Sequence, residues 1–237
     1  MAEVPTAEEL EALFREGKME RIGMGSRRAC YRIPGTELCV KCYRSDEEIE
    51  EGAYKEAKLL SPSVVREIKR SRFDEKRNTC CQEYRYWMKL RKSLPSELFA
   101  VFPQAMECFF VPSRGWCIVE ELVLNFDGSF PLHFAEAYKA AGQDERMELR
   151  SVFGTTIGGL VFNFVRLYDP HNIMVQRLTN GDFQLRIVDF EPASRCFIPI
   201  ESIFPSLIRK KTLRRVNRYL QQQLAIELGR MEVSRKM

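Results

Sequence analysis

A chain of 237 residues that is 45% hydrophobic can bury a sizeable core, which excludes a disordered or linker protein. Its 37 Lys and Arg against 33 Asp and Glu leave a formal charge of +4, so the chain as a whole is no basic sleeve for nucleic acid. Its longest near-apolar stretch, Ile157 to Val165, falls short of the roughly 20 residues of a membrane span, and the first residues show no charged-then-apolar signal, so a cytoplasmic protein without a transmembrane segment is expected.

In chain order, residues 6–18 read as a short helix with Thr6 as N-cap and Glu9 closing a capping box. Residues 19–23 form a short strand leading into a glycine turn. Two β-type runs are read next, RIGMGSRRACYRIP and TELCVKCY, joined at Pro34-Gly35. Glu, Lys and Ala at helical spacing predict a helix over 45–60. A longer one is predicted over 76–93, with Tyr84, Trp87, Met88 and Arg91 at three- and four-residue intervals.

Strands 106–111 and 116–123 flank a turn at Pro112 to Gly115. Helical text occupies 131–141 and 143–165. A second hairpin spans 171–189 around Asn180-Gly181, and a basic helical stretch covers about 202–230. Strands gather early and helices late, without βαβ alternation. The class is therefore α+β: a small β-rich lobe over 1–125 and a helical lobe over 126–237, together one domain.

The eight cysteines include Cys39-x-x-Cys42, half of a zinc or redox motif. No second pair completes a tetrahedral site, and strand residues three apart face opposite ways. Packing is the expected role.

Chemistry points elsewhere. Gly23-x-Gly25-Ser26 lies between two strands, where glycines let backbone N–H groups approach phosphate. Lys41 is the only charge in LCVKCY, and on a half-buried strand it calls for an anion. The late hairpin brings Asn172 and Asp189, at its two open ends, towards one point. An amide oxygen and a carboxylate there suit Mg²⁺. The alternative for Asp189 is a carboxylate that caps the following turn.

In this order these features resemble the protein-kinase-like superfamily. Gly23-x-Gly25-Ser26 is similar to its glycine-rich loop and Cys39-Val40-Lys41 to its V-A-I-K strand. Ile118 to Leu122 resembles the hinge that holds adenine through backbone bonds, at Glu120 and Leu122. Residues 166–175 resemble the catalytic loop, and Ile187-Val188-Asp189-Phe190-Glu191 the D-F-G segment. The narrower likeness is to the PhoP-regulatory-network YrbL family, a compact bacterial group, carried by residues 168–176 and 187–192.

The resemblance implies a compact two-lobe kinase-like fold with ATP and Mg²⁺ in the cleft between lobes. Lys41 would pair the phosphates and be oriented by a helix carboxylate. Glu83 is the first choice, with Glu50, Glu51 and Glu56 as alternatives. Asn172 and Asp189 would hold Mg²⁺.

Two departures bear on activity. Leu167 stands where the catalytic Asp is usual, so Asp169 is the candidate base. Glu191 replaces the D-F-G glycine. No A-P-E segment follows Asp189, so a small molecule or sugar is expected as acceptor rather than a protein. A regulatory protein with little or no phosphoryl transfer is the alternative.

Arg209, Lys210, Lys211, Arg214, Arg215 and Arg218 lie on an amphipathic stretch. It is either a packed helix with a solvated basic face or a surface for an anionic membrane, phosphorylated sugar or nucleic acid. A nucleic-acid binder acting through this stretch is a third reading.

Overall fold

The computed structural model describes residues 3–55, 60–165, 167, 169–190 and 205–224. Arg166, Tyr168, Glu56, Glu191 and Cys196 lie outside them. The chain divides into two units, Met1–Met88 with Gln104–Leu122, and Lys89–Pro103 with Val123–Met237. The α+β class holds: the first unit is built on a sheet and the second is mainly helical.

In the first unit, α1 (Ala7–Arg15) opens on the anticipated capping box. Thr6 N donates to Glu9 Oε2 at 2.7 Å, and Glu9 N donates to Thr6 Oγ1 at 3.2 Å. Strands β1 (Glu20–Met24), β2 (Arg28–Arg32), β3 (Leu38–Tyr43), β4 (Ala105–Val111) and β5 (Gly115–Glu121) form one antiparallel sheet in the order β1-β2-β3-β5-β4. Between β3 and β4 run α2 (Asp46–Lys55), α3 (Pro62–Ser71) and α4 (Thr79–Ser93), the last continuing past the first unit's boundary.

Strand alternation gives the sheet two characters. One face carries Leu38, Val40, Cys42, Tyr31 and Val119, packed with Leu10 and Phe14 of α1. The register Cys30↔Lys41↔Ile118 and Cys39↔Glu120 collects a mixed polar set on the other face. All six β3 residues are buried, so Lys41 sits on a strand covered on both faces, not a half-buried one. Cys39 and Cys42 are on opposite faces. The seven described cysteines are free thiols, with Cys81 Sγ 3.4 Å from Cys108 Sγ.

The second unit contains α5 (Ser96–Phe99), β6 (Leu132–His133), α6 (Phe134–Ala140) and α7 (Gln143–Phe162). A 3₁₀ turn (Pro170–Asn172), β7 (Ile173–Arg177), β8 (Phe183–Ile187) and α8 (Pro205–Leu224) follow. Its sheet runs β6-β7-β8. Along α7, Leu149, Phe153, Ile157 and Leu160 are buried, and the Phe153 ring lies 4.2 Å from that of Phe134. Helix α8 buries Thr212, Val216, Tyr219 and Leu220 and exposes Lys210, Lys211, Arg214 and Arg218. Its inner face packs against α6 and α7, as a packed helix with a solvated basic side would.

The sequence reading lacks α3, α5 and β6. Helix α3 is announced by Ser61, whose hydroxyl accepts from Val64 N, and by Pro62 in its first turn. Pro170–Asn172 forms a 3₁₀ turn ahead of β7 rather than the start of the strand.

Gly115 ties the α3–α4 connection to the β4–β5 hairpin. It has φ +76°, and a Cβ there would lie 2.3 Å from Arg72 O, the same carbonyl that accepts from Trp116 N at 3.1 Å. Gly35 has φ +71° with open space around it. Gly35→Ala should therefore cost only the ~1–2 kcal/mol of left-handed backbone. Gly115→Ala should cost clearly more in urea melts, and equal losses would show that the Arg72 contact relaxes freely.

Candidate functional site

Four charged side chains meet on the polar face of the first unit's sheet. Lys41 Nζ lies 2.5 Å from Glu120 Oε1 and 3.4 Å from Glu83 Oε1, while Arg28 Nη1 lies 2.5 Å from Glu83 Oε2. Exposure is 8% for Lys41, 7% for Arg28, 2% for Glu120 and 0% for Glu83. Strand β2 supplies Arg28, β3 Lys41, β5 Glu120 and α4 Glu83. Two positive and two negative charges cancel, as buried ions must to be tolerated.

Glu83 is thus the helix carboxylate that reaches Lys41. Glu51 is engaged by Arg21 at 3.1 Å, and Glu50 is exposed. Sequence reasoning did not find Arg28, and it placed Glu120 by its backbone rather than by its side chain.

The cluster sets its own protonation. Burial pushes the Glu120 carboxyl above its ordinary value, and Lys41 offsets this only in part. Burial would also raise Glu83, but Lys41 and Arg28 together outweigh it and hold Glu83 below the ordinary value. Burial works against the Lys41 ammonium, yet Glu120 and Glu83 hold it well above the usual lysine range. Beside them, Cys80 donates to Lys41 O at 3.4 Å, and burial pushes its thiol up to about 12.

The glycine turn is tighter than its spacing suggests. Gly25 N donates to Arg28 O at 2.8 Å, and Gly25 O accepts from Arg44 Nε at 2.8 Å. Both backbone groups of Gly25 are therefore engaged inside the unit, while Ser26 is exposed at the turn. A Cβ at Gly23 would come no nearer than 3.8 Å to Cys30 Cβ, and one at Gly25 no nearer than 3.7 Å to Arg28 O. Neither glycine is required by local packing. At the end of β5, Leu122 N donates to Glu37 O at 2.9 Å, so that donor is also engaged within the unit.

In the second unit the hairpin joins the ends as its register requires. Asn172 Nδ2 donates to Asp189 O at 3.2 Å, and Val188 N donates to Asn172 O at 3.0 Å. Asp189 is exposed and has φ +56°, a left-handed conformation held by these flanking bonds. Asp169, also exposed, uses Oδ1 to accept from His171 N at 2.9 Å, capping the 3₁₀ turn. Leu167 is buried at 3% exposure. The His171 ring meets Tyr219 edge-on at 4.8 Å, and the Tyr219 hydroxyl accepts from Ala135 N.

Among the described residues, no three His, Cys, Asp or Glu side chains gather into a group that could hold a metal ion by themselves. No protein-family model matches the chain, and no curated protein matches it. Among solved structures it is similar to the crystal structure of a kinase domain, at 13% identity and a TM-score of 0.39, over 72% of this chain and 49% of that one. The chain thus spans about half the length of that protein.

Lys41→Met leaves Arg28 facing two buried carboxylates, and it should cost about 3–5 kcal/mol in urea melts. Adding Glu120→Gln should recover part of that loss. A single-mutant cost below about 1 kcal/mol would mean that water enters the cluster.

The pH dependence has two limbs. Glu120, raised above 4.5, gives stability that is present below that value and lost as pH rises through its folded value. Glu83, lowered, gives stability present above 4.5 and lost as pH falls through its folded value. Glu120→Gln should therefore flatten the decline on the high side and leave the acid limb in place.

Proposed function

We propose that the chain is a kinase-like phosphotransferase that binds ATP with Mg²⁺ and phosphorylates a small molecule or sugar. The observation that carries this reading is the Lys41–Glu83 ion pair, a strand lysine held by a helix carboxylate 42 residues later. The same chain carries Asn172 and Asp189 at the mouth of a later hairpin. In this reading Lys41 would serve the phosphates, and Asn172 and Asp189 would serve the metal. The narrower likeness to the YrbL family rests on residues 168–176 and 187–192 and belongs to the same proposal.

The donor set suits Mg²⁺. The Asn172 amide nitrogen is engaged by Asp189 O, so its oxygen is the atom left to take a cation, beside the exposed Asp189 carboxylate. Two hard oxygen ligands are too few for an all-protein cage, but they fit an ion that keeps waters and takes the rest of its shell from phosphate. When bound, Mg²⁺ would neutralise charge on the transferring phosphoryl group.

Lys41 would hold the phosphates, with Glu83 fixing its position. Asp169 would take the proton of the acceptor hydroxyl as the new P–O bond forms and the bond to ADP breaks. Leu167, apolar and buried, has no part in proton transfer.

The second reading is a kinase-like regulatory protein with little transfer. It is favoured by Leu167 at the usual base position and by the capping bond that Asp169 already makes. No helix among the described residues is long and apolar enough to cross a membrane. The exposed basic side of α8 is a candidate surface for an anionic partner, with Lys210, Arg214 and Arg218 as its cations.

Thermal melting with MgATP tests both nucleotide readings. Ligand at about 100 times its Kd should add ~2.7 kcal/mol to the wild type. Lys41→Ala and Asp189→Ala should lose that gain, and absence of a shift in the wild type sinks both readings. Asp169→Asn should keep the shift and abolish turnover. Turnover that survives would remove Asp169 as the base, and a shift without ATP consumption would leave the regulatory reading.

A further inference from the structure

Lys41 is closer to Glu120 than to the helix carboxylate that is supposed to orient it, 2.5 Å against 3.4 Å. Glu83 in turn is held from its other oxygen by Arg28. The charge on Lys41 is therefore already cancelled, and an incoming anion meets two carboxylates as well as the ammonium. Glu120 Oε2 is buried and has no hydrogen-bond partner among the described residues, an expensive arrangement for an ionised oxygen.

Protonation resolves both problems. It removes the charge that competes for Lys41, and it leaves a neutral oxygen where an ionised one stood buried without a partner. The proton has one favourable address. Arg28 and Lys41 keep Glu83 ionised, whereas Glu120 has Lys41 alone at close range. The other groups that act on Glu120 are Arg28 on β2, Cys39 on β3 and Glu83 on α4; the thiols of Cys30, beside Cys39, and of Cys80, beside Glu83, stand behind them. None of these is an acid that would take the proton first: the cysteines can only lose one, and Glu83 is held ionised.

We infer that Lys41 and Glu120 form a proton-linked phosphate site, in which a polyphosphate anion takes the place of the Glu120 carboxylate on Lys41 and Glu120 binds one proton as it lets go. The balance is simple: one proton enters, Glu120 becomes neutral, and Lys41, Arg28 and Glu83 present a net single positive charge to the anion. This rests on the reading that Lys41 receives nucleotide phosphates, and it adds that the site is gated by an acid within the sheet. Burial of Glu120, which already favours its neutral form, acts in the same direction.

Isothermal titration of MgATP, and of magnesium tripolyphosphate as a base-free probe, in two buffers of different ionisation enthalpy counts the protons exchanged. The wild type should take up more protons per site than Glu120→Gln, since the comparison cancels the ligand's own protons. Glu120→Gln should also bind about tenfold more tightly at neutral pH.

Binding with equal proton counts in the two proteins, or weaker binding by Glu120→Gln, overturns the inference and leaves the nucleotide reading standing. Failure of either ligand to bind either protein removes the nucleotide reading and this site with it. Should Glu120→Gln not fold, wild-type affinity for tripolyphosphate decides: it tightens as pH falls from 8 to 6 if Glu120 gates Lys41, and a flat or opposite trend sinks the gate.

Discussion

A lysine placed on a strand that is covered from both sides has to be neutralised where it stands, because the ammonium costs several kcal/mol to leave unpaired in such surroundings. The first unit answers with carboxylates from two different elements. That choice makes further demands. Two acids around one lysine would leave an excess negative charge, and Arg28 from the neighbouring strand removes it. The position of α4 against the sheet, the register of β2 on β3 and that of β3 on β5 must all be met together for the four charges to balance. The polar face of the sheet is thus specified as narrowly as its apolar face, where Leu38, Val40 and Val119 pack against α1.

The second unit solves a different problem by backbone geometry. Ile173 opposite Ile187 closes the hairpin, and the strand ends then deliver Asn172 and Asp189 to one place. The amide of Asn172 and the peptide of Val188 hold the chain as it turns through the left-handed conformation at Asp189. A residue with a Cβ tolerates that conformation only under such constraint, and aspartate is among those that bear it best. The residue that makes this turn is exposed.

Local patterns made most elements legible. The Thr6 and Glu9 pair, the Asn180-Gly181 turn, the strand around Lys41 and the long α7 each carry a signal within a few residues. What escaped depends on pairing. Whether Glu120 points to the same side as Lys41 follows from the β3–β5 register, which no short window encodes. Arg28 looks like one of two adjacent arginines beside a glycine turn until β2 is laid against β3, when it falls on the face that receives Glu83. The engaged backbone of Gly25 is likewise set by Arg28 and Arg44, not by the glycine spacing. Helix α3 had a readable start in Ser61-Pro62, where the hydroxyl accepts from Val64 N.

The strand order also orders assembly in time. Strands β1 to β3 pair with sequence neighbours, as do β4 and β5, so each group closes through short turns. The seam between β3 and β5 is different: Cys39 and Glu121, in contact across it, are 82 residues apart. Closing a loop of that length costs about 4 kcal/mol of chain entropy before any contact repays it. The seam is also where Lys41 meets Glu120, and four helices, α2 to α5, lie in sequence between its two strands. A folding nucleus made of the two hairpins would join late there, so the charges that define the face are among the last to be buried together.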